Sequence, residues 1–260
     1  MKISRPSRRQ LTIWGKLQQR KYRHRHGLFL AEGERCVNQI LQNGRVVVEA
    51  VLQAEGTAWS APARLPGQVQ RYELVPSDFQ RIAGTGTPQG IAAICQIPQE
   101  VSPARLPEKS HLVVALDAVQ DPGNVGTMLR TATWFGASAV IFGTGTVDPW
   151  HPKVVRSTAG ATGVLPILSG DLQKLLLQLE DRGWEVRLLD GGPEATEMKS
   201  VTVPERVVLV VGNEGRGVAE ELFAGGRQMV RIGGQSDRVE SLNAAVALSI
   251  ALYEHYEPNR

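Results

Sequence analysis

The chain has 260 residues, 42% of them hydrophobic and 21% charged, which is ordinary for a globular protein with one large domain or two modest ones. Its longest apolar runs have the length of a strand, far short of the roughly 20 residues that cross a bilayer, and the basic N-terminus lacks the apolar stretch of a secretory signal. These features argue against a membrane protein and predict a cytoplasmic one. Cys36, Cys95 and the five histidines do not have the spacing of metal ligands, so we predict no bound metal.

The charge is distributed unevenly along the chain. Residues 1–26 contain nine Lys or Arg and no Asp or Glu, which leaves 20 basic and 26 acidic residues, a net charge of −6, in the rest of the chain. A basic arm on an acidic body is typical of a protein that binds a polyanion. Four rings lie among these charges and could stack on the bases of looped RNA, namely those of Trp14, Tyr22, His24 and His26. The alternative is a solvated, partly disordered arm that only aids solubility.

The elements predicted for the first hundred residues form a small α/β unit. In chain order they are a basic helix from residue 16, a strand at 28–31, a helix at 34–42, strands at 46–53 and 72–75, a helix at 76–82 and a strand at 91–96. Residues 57–68, rich in Pro, Ala and Gly, are predicted to be a surface loop. Three prolines within the polar segment 98–110 indicate a linker between domains.

After residue 110, strands and helices alternate as a mostly parallel sheet requires. Strands are predicted at 112–117, 139–142, 164–168, 186–189, 207–211 and 229–232, and helices at 124–135, 152–158, 172–182, 218–223 and from about residue 241. Ligands of open parallel sheets bind beyond the carboxyl ends of the strands. The candidate ligand loops are therefore those after Asp117, Leu189, Val211 and Ile232.

The helix after the first of these strands carries a candidate functional arginine. Pro122-Gly123 predicts a turn, and Asn124 is the predicted N-cap of the helix. The buried stripe of this helix is predicted to consist of Val125, Met128, Leu129 and Ala132. Arg130 lies off the stripe, so its guanidinium either binds a phosphate or carboxylate or is simply solvated.

Residues 212–217, with the sequence GNEGRG, directly follow a predicted strand. Their three glycines permit a ligand to approach the backbone, and the Glu214 carboxylate could bind a sugar hydroxyl or an ammonium group. The spacing matches neither the dinucleotide-binding pattern G-x-G-x-x-G nor a P-loop. A loop that binds another nucleotide-like ligand and a plain turn both remain open.

Residues 230–254 pass from a polar loop into a helix that begins near Ser241. Apolar residues recur at helical spacing along this helix, at Leu242, Ala245, Val246, Ile250 and Tyr253. Its four alanines make it thin enough for a ligand or another backbone to approach closely. The segment is either part of a polar site or simply the last helix of an α/β core.

The polar loops do not supply a Ser-His-Asp or Cys-His arrangement, which argues against hydrolytic or thiol chemistry. Transfer of a group between a bound cofactor and a bound polyanion depends on positioning, which can lower a barrier by roughly 7 to 11 kcal/mol. Such a transfer suits this set of loops.

Three segments in this order resemble the three motifs of the SpoU (TrmH-like) RNA ribose 2′-O-methyltransferases of the SPOUT superfamily. They are NVGTMLRTA at 124–132, VGNEGRG at 211–217 and SLNAAVA at 241–247. KVVRSTAGATGVLP at 153–166 is similar to the stretch between the family's motifs. FLAEGERCV at 29–37 and TPQGIAAI at 87–94 resemble the L30e-like substrate-binding domain that many members carry.

The resemblance implies an α/β fold whose catalytic domain has a parallel sheet and a deep C-terminal trefoil knot, an exception to the rule that chains avoid knots. With the arm and the linker, the predicted layout is a basic arm (1–26), an L30e-like RNA substrate-binding domain (27–97), a linker (98–110) and a SPOUT methyltransferase domain (111–260). The implied cofactor is S-adenosylmethionine, held through backbone groups at Gly212, Ile232 and Leu242. The implied assembly is a homodimer.

The resemblance also implies methyl transfer from S-adenosylmethionine to a ribose 2′-hydroxyl of a structured rRNA or tRNA. Arg130 would lie beside the reactive ribose, where orienting the hydroxyl and stabilising an alkoxide suit a guanidinium better than removing a proton. The residues implied to position the substrate are Asn124, Glu214, Ser241 and Asn243. One departure is Gly233-Gly234, where many relatives have Ile-Pro, and it predicts a more mobile cofactor loop. The alternative is a catalytically silent RNA-binding or ribosome-assembly protein that keeps the fold.

Overall fold

The computed structural model describes residues 3–63, 65–67, 69–235, 238 and 241–256. The chain divides into two compact units, one of Met1–Pro98 with Asp148–Val164 and one of Gln99–Val147 with Leu165–Arg260. The domain limits given above remain predictions. The compact units differ from them at two places, since residues 99–110 belong to the second unit and residues 148–164 to the first.

The first 98 residues form a five-stranded mixed sheet with four helices. The elements are β1 (Ile3–Ser4), α1 (Arg8–Lys16), α2 (Arg20–His26), β2 (Leu28–Glu32), α3 (Glu34–Asn43), β3 (Val48–Ala54), β4 (Gln70–Leu74), α4 (Pro76–Ala83) and β5 (Ile91–Gln96). The strand order is β1-β4-β3-β5-β2, with β1 and β3 parallel to β4 and with β2 and β3 antiparallel to β5. The predicted strands and later helices are present within a few residues. The predicted loop at 57–68 contains no helix or strand in its described part, and positions 64 and 68 lie outside the described residues.

The N-terminal helices differ from the prediction because they belong to the core of this unit. The single basic helix predicted from residue 16 is in fact two helices, α1 and α2. Trp14 is 5% exposed, and its ring packs edge-on against Tyr72 with 5.4 Å between centroids. Arg23 is buried and its Nε donates to Asp148 Oδ2 over 2.9 Å. The prediction that Trp14 stacks on RNA bases is therefore wrong, since its ring fills the core, and the charge of Arg23 is already paired.

Beyond residue 98 the chain forms a seven-stranded parallel sheet. The elements are β6 (Leu112–Leu116), α5 (Pro122–Trp134), β7 (Ala139–Gly143), α6 (Pro152–Ser157, in the first unit), β8 (Ile167–Gly170), α7 (Leu172–Glu180), β9 (Glu185–Leu189), β10 (Thr196–Glu197), β11 (Val207–Val211), β12 (Gln228–Arg231) and α8 (Ala244–Glu254). The strand order is β10-β12-β9-β11-β6-β7-β8, and every neighbouring pair is parallel. The predicted α/β class with a parallel sheet is confirmed. Where a helix was predicted at 218–223, a short 3₁₀ turn spans Glu220–Phe223.

The centre of this sheet is apolar on both faces. Every side chain of β6 and β11 is buried, and their unbroken runs of Val, Leu and Ala are typical of strands covered on both sides. The predicted buried stripe of α5 is confirmed at Val125, Met128, Leu129 and Ala132. α8 packs against α5, with Ser249 Oγ 3.4 Å from Thr131 Oγ1.

Helix α8 is apolar on all sides, so its sequence does not determine which side is buried. The buried side consists of Ala245, Leu248, Ala251 and Leu252. Leu242 and Val246 are each 48% exposed and Tyr253 is 66% exposed, so the apolar series seen in the sequence lies largely on the outer side. α8 has 11 residues, and in the described ranges no helix is both long and apolar enough to cross a membrane.

Candidate active site

The candidate ligand loops of the second unit follow strands that are neighbours in the sheet. Parallel strands place their carboxyl ends at one edge, and β12, β9, β11 and β6 are consecutive in the strand order. The loops after these four strands therefore share one edge of the sheet. This edge contains the three segments that resemble family motifs, around residues 124, 214 and 241.

The loop after β11 is closed on itself by backbone hydrogen bonds. Asn213 and Gly217 exchange two bonds of 2.9 Å, and Asn213 Oδ1 accepts from the amides of Gly215 and Arg216 at 3.0 and 3.2 Å. A Cβ atom at Gly212 would lie 2.1 Å from the backbone carbonyl carbon of Gly217. Only glycine at position 212 permits this closure.

Glu214 joins this loop to the start of α5. Its carboxylate accepts hydrogen bonds from the backbone amides of Gln120 and Asp121 at 3.2 and 3.1 Å and from Asn124 Nδ2 at 3.0 Å. Partial burial by itself raises the pKa of Glu214, but the hydrogen bonds from Asn124 and the backbone amides outweigh it and lower that pKa below its ordinary value. Glu214 is thus an ionised acceptor at neutral pH.

Asn243 connects the same network to α8. Its Nδ2 donates to Asn124 Oδ1 over 3.0 Å, while its Oδ1 accepts from the amides of Ala245 and Val246 at 2.9 and 3.3 Å. Asn243 is therefore the N-cap of α8, which begins at Ala244 rather than near Ser241 as predicted. Through Asn124, the three separate motif segments are held together by side-chain hydrogen bonds.

The N-cap of α5 is Asp121, so the prediction of Asn124 at this position is wrong. Asp121 Oδ1 accepts from the backbone amide of Asn124 over 2.8 Å, which makes Asn124 the third helical residue. The signal was present in the sequence, because Asp followed by Pro marks an N-cap and the first helical position. The shift leaves the Asn124 amide side chain available to Glu214 and Asn243.

Two predicted residues are not part of this network. Arg130 is exposed on α5, about 9 Å along the helix from Asn124 at 1.5 Å per residue, and its guanidinium makes no hydrogen bond or ion pair with another described residue. Ser241 is also exposed, and its hydroxyl makes no hydrogen bond within the described part of the chain. Both side chains are therefore accessible to a ligand.

The predicted cofactor positions outside the β11 loop lie on either side of a segment with gaps in the description. Ile232 is partly exposed, and Leu242 is 48% exposed. Positions 236, 237, 239 and 240 lie outside the described residues, so the predicted mobility of this loop stays a prediction. A Cβ at Gly233 would lie 2.6 Å from Glu197 Oε2, the end of a flexible side chain whose Oε1 accepts from Arg231 Nε over 3.0 Å.

Two residues that the sequence did not single out as site residues also fix these loops. Asn213 Nδ2 donates to the carbonyl of Ala118 over 2.8 Å, and Ala118 has a left-handed backbone with φ of 51°. Asp117 Oδ2 accepts from the amide of Ala219 over 2.8 Å. Asn213 carries a recognisable signal, since Asn side chains commonly bond to the backbone two residues on in turns.

The described residues contain no group of three or more His, Cys, Asp or Glu arranged to hold a metal ion. That the protein uses no metal stays a prediction. Both cysteines are free and buried, and burial raises the pKa of the Cys36 thiol to about 12.

Comparison with known proteins identifies the family. Residues 111–253 match the SpoU rRNA Methylase family, and residues 9–93 match the MRM3-like substrate binding domain. The chain belongs to the SpoU rRNA methylase family. Its membership and its N-terminal substrate-binding domain, both predicted from sequence motifs, are confirmed. The substrate-binding match begins at residue 9 and so includes most of the segment predicted as a basic arm.

Known relatives of this SpoU family member match over almost its full length. It is 36% identical over 246 residues to the 23S rRNA (guanosine(2553)-2′-O)-methyltransferase RlmP of Bacillus subtilis, covering 92% of this chain and 93% of the relative. A structure described as a putative RNA methyltransferase of the TrmH family from Porphyromonas gingivalis is 33% identical, with a TM-score of 0.81 over 97% of this chain and 98% of that one. An AdoMet-bound rRNA methyltransferase from Sinorhizobium meliloti is 25% identical, with a TM-score of 0.81 over 98% and 97% of the two chains.

Proposed function

We propose that the protein transfers the methyl group of S-adenosylmethionine to a ribose 2′-hydroxyl of ribosomal RNA. The observation that carries this proposal is the hydrogen-bonded chain Glu214–Asn124–Asn243, which joins three family motifs at the carboxyl edge of the parallel sheet. Family membership and the name of the B. subtilis relative support rRNA as the substrate. We also propose a cytoplasmic location, because the relative named as a 23S rRNA methyltransferase is bacterial and bacterial ribosomal RNA lies in the cytoplasm.

The residues present at this edge fit the cofactor. Gly212 is buried at the end of β11, where its loop closes on Gly217, and the loop residues 214–217 are exposed. Ile232 and Leu242 add apolar side chains that are partly exposed. Backbone groups together with apolar side chains are what a purine nucleoside needs for recognition. When bound, S-adenosylmethionine would supply a methyl group on a positively charged sulfur, which would leave as a neutral thioether while the ribose oxygen takes the methyl group and its hydroxyl proton passes to water.

Arg130 is the proposed catalytic residue. Its guanidinium is exposed and is not engaged by another described residue, so it is available to a phosphate and to the ribose next to it. Arginine stays protonated in proteins, so it donates hydrogen bonds to the developing alkoxide and does not remove the proton.

We assign Glu214, Asn124 and Asn243 to positioning. The lowered pKa of Glu214 makes it a weak base, and its oxygens already accept three hydrogen bonds. Asn124 and Asn243 form hydrogen bonds to each other and to other groups of this chain, so they fix the N-terminal ends of α5 and α8 relative to each other. Ser241, exposed just before α8, is the proposed hydroxyl contact to the ligands.

We further propose a homodimer whose interface is the outer side of α8 and the end of α5. Val246 and Tyr253 are exposed on α8, and Trp134 at the end of α5 is 81% exposed. Phe135 packs against Tyr253 and Tyr256, with ring centroids 6.1 and 5.6 Å away, so the apolar surface is continuous. Apolar patches of this kind mark protein–protein interfaces. The packing of α8 against α5 and β11 is consistent with the trefoil knot, which we propose from the family resemblance.

The test combines a cellular and an in vitro experiment. Ribose methylation is mapped across the rRNA of cells lacking the protein, and we expect one 2′-O-methyl group to be lost. The purified protein should restore that mark on unmodified RNA with S-adenosylmethionine, and Arg130→Lys should lower kcat by at least tenfold with the RNA affinity little changed. Near-normal turnover of Arg130→Lys would refute a specific guanidinium role.

Binding of the cofactor distinguishes an active enzyme from a catalytically silent RNA-binding protein. Calorimetric titration with S-adenosylmethionine should show one site per chain. If a folded protein binds RNA but not the cofactor, and no rRNA mark changes, the catalytically silent RNA-binding alternative is correct.

A further inference from the structure

A groove between α1 and α2 in the first unit gathers positive charge and aromatic rings. It is an open depression of about 440 Å³, and six of its lining residues are Arg8, Arg9, Lys16, Tyr22, Arg25 and His26. This volume lies within the range of about 300 to 1,000 Å³ that is usual for small-ligand sites. We propose that this groove is a second RNA-binding site, which holds an unstacked nucleotide and its neighbouring phosphates in a single-stranded or looped part of the RNA substrate. The proposal rests on the proposed function for its choice of RNA.

The fold separates the basic residues of the N-terminal segment into paired and unpaired sets. Arg5 forms an ion pair with Glu55 at 2.9 Å, and Arg23 is buried against Asp148. By contrast, Arg8, Arg9 and Arg25 form no ion pair with any described residue. No Asp or Glu occurs in residues 1–26, and Lys2 lies outside the described residues. The positive charge of the groove is therefore not neutralised by the helices that form it.

Two of these arginines lie at an unfavourable end of a helix. Ser7 is the N-cap of α1, which makes Arg8 and Arg9 its first two helical residues. The helix macrodipole places partial positive charge at this end, so cations here lower the stability of the helix. The first turn of α1 contains no acidic residue that would compensate this charge. A phosphate bound in the groove would compensate it, because it accepts hydrogen bonds from the guanidinium groups and is favoured at a helix N-terminus.

The rings in the groove favour RNA over other polyanions. The rings of Tyr22 and His26 are nearly parallel, with 11° between their planes and 6.4 Å between centroids, and Lys16 Nζ lies 5.1 Å from the centre of the Tyr22 ring. Flat rings interleaved with cations are how proteins bind single-stranded nucleic acid, since the rings stack on bases and the cations contact phosphates. An acidic protein partner would use the cations but would have no bases for the rings.

The experiment measures RNA binding by the full chain at several salt concentrations. The probe is an unmodified transcript of a segment of large-subunit rRNA. The segment contains the ribose that corresponds to guanosine 2553, the nucleotide in the name of the B. subtilis relative. Arg8→Gln combined with Arg25→Gln removes two proposed phosphate contacts, so the slope of log K against log salt should become shallower by about 1.4, at about 0.7 per contact on a single strand. Tyr22→Leu should weaken binding by about 5- to 150-fold through lost stacking.

A matched control has the same change in charge. Arg20→Gln combined with Lys21→Gln alters two exposed cations of the same segment that do not line the groove, so its salt slope should stay close to that of the wild type. Thermal melts guard against unfolding, because Arg8→Gln with Arg9→Gln should melt no lower than the wild type while it binds RNA more weakly. Cofactor affinity should be unchanged in all of these variants.

Each result decides the proposal. It is overturned if the groove and control variants lose affinity equally, if the groove variants bind as tightly as the wild type, or if the wild type does not bind the transcript. Loss with the arginine variants but not with Tyr22→Leu would show a site for a polyanion without bases, such as an acidic protein, and would also overturn it. If the transcript binds through the groove but receives no methyl group, the proposed function fails while the groove proposal holds.

Discussion

Replacement of Asn243 tests whether hydrogen bonds hold the start of α8 against the loop that carries Glu214. Asn243 Oδ1 caps the helix by accepting from the amides of Ala245 and Val246, and Nδ2 donates to Asn124 over 3.0 Å. Loss of an N-cap side chain costs about 0.5–2 kcal/mol. The bond between two exposed amides adds about 0.5 kcal/mol, the lower end of the usual range. Asn243→Ala should therefore destabilise the start of α8 by about 1–2.5 kcal/mol.

Asn243→Asp separates the cap from the link to Asn124. The carboxylate keeps the capping oxygen and is favoured at a helix N-terminus, so stability should stay near that of the wild type. The donor to Asn124 is lost, however, so a carboxylate oxygen at position 243 would face Asn124 Oδ1, and two acceptors would meet with no hydrogen between them. We expect methyl transfer to fall by at least tenfold in a protein that is still folded.

Amide hydrogen exchange at Ala245 and Val246 is the assay, because it reports the local opening of this helix end. The expected destabilisation by Asn243→Ala corresponds to exchange about 5- to 60-fold faster, at about 1.4 kcal/mol per factor of ten. Exchange of Asn243→Ala at the wild-type rate would refute the capping role. If amide exchange is accelerated equally in Asn243→Asp, the oxygen at position 243 does not stabilise the helix by capping it.

Gly212→Ala puts a Cβ 2.1 Å from backbone, so the affinity for the cofactor should fall more than tenfold in calorimetry. Gly215→Ala is the control, because the atom nearest to its Cβ is 3.7 Å away and binding should persist. Equal affinities of the two variants would contradict the closed-loop argument. Burial lowers the pKa of His255, so the unfolded chain binds a proton that the folded one resists, and stability should be lost as the pH falls through about 6.5. Urea titrations at pH 7.5 and 5.5 should show a smaller loss for His255→Gln, and an identical loss would exclude this histidine. Arg23→Leu leaves the Asp148 carboxylate buried without its partner and should destabilise the first unit by about 3–5 kcal/mol, with partial recovery on adding Asp148→Leu. No recovery in denaturant titrations would mean that packing, not charge, explains the loss.

The sequence by itself determined the parallel-sheet class, the positions of most strands and the family. Strand runs such as 207–211 are local apolar signals, and the motif segments keep their order and residue types. The buried stripe of α5 also followed from local periodicity, because that helix has one apolar face and one polar face. Asp121 as the N-cap was available from the sequence as well, in the Asp-Pro pair that precedes the helix.

Only the tertiary structure decided which side of α8 is buried and which basic residues of the N-terminal segment stay unpaired. α8 is apolar all round, so its sequence periodicity does not show which side is buried. The buried side is the one that packs against α5. The charge of Arg23 is paired with Asp148, 125 positions away, and Glu214 reaches Asn124 across 90 positions. Contacts over such separations depend on where the sheet order brings the chain, which local sequence patterns do not encode.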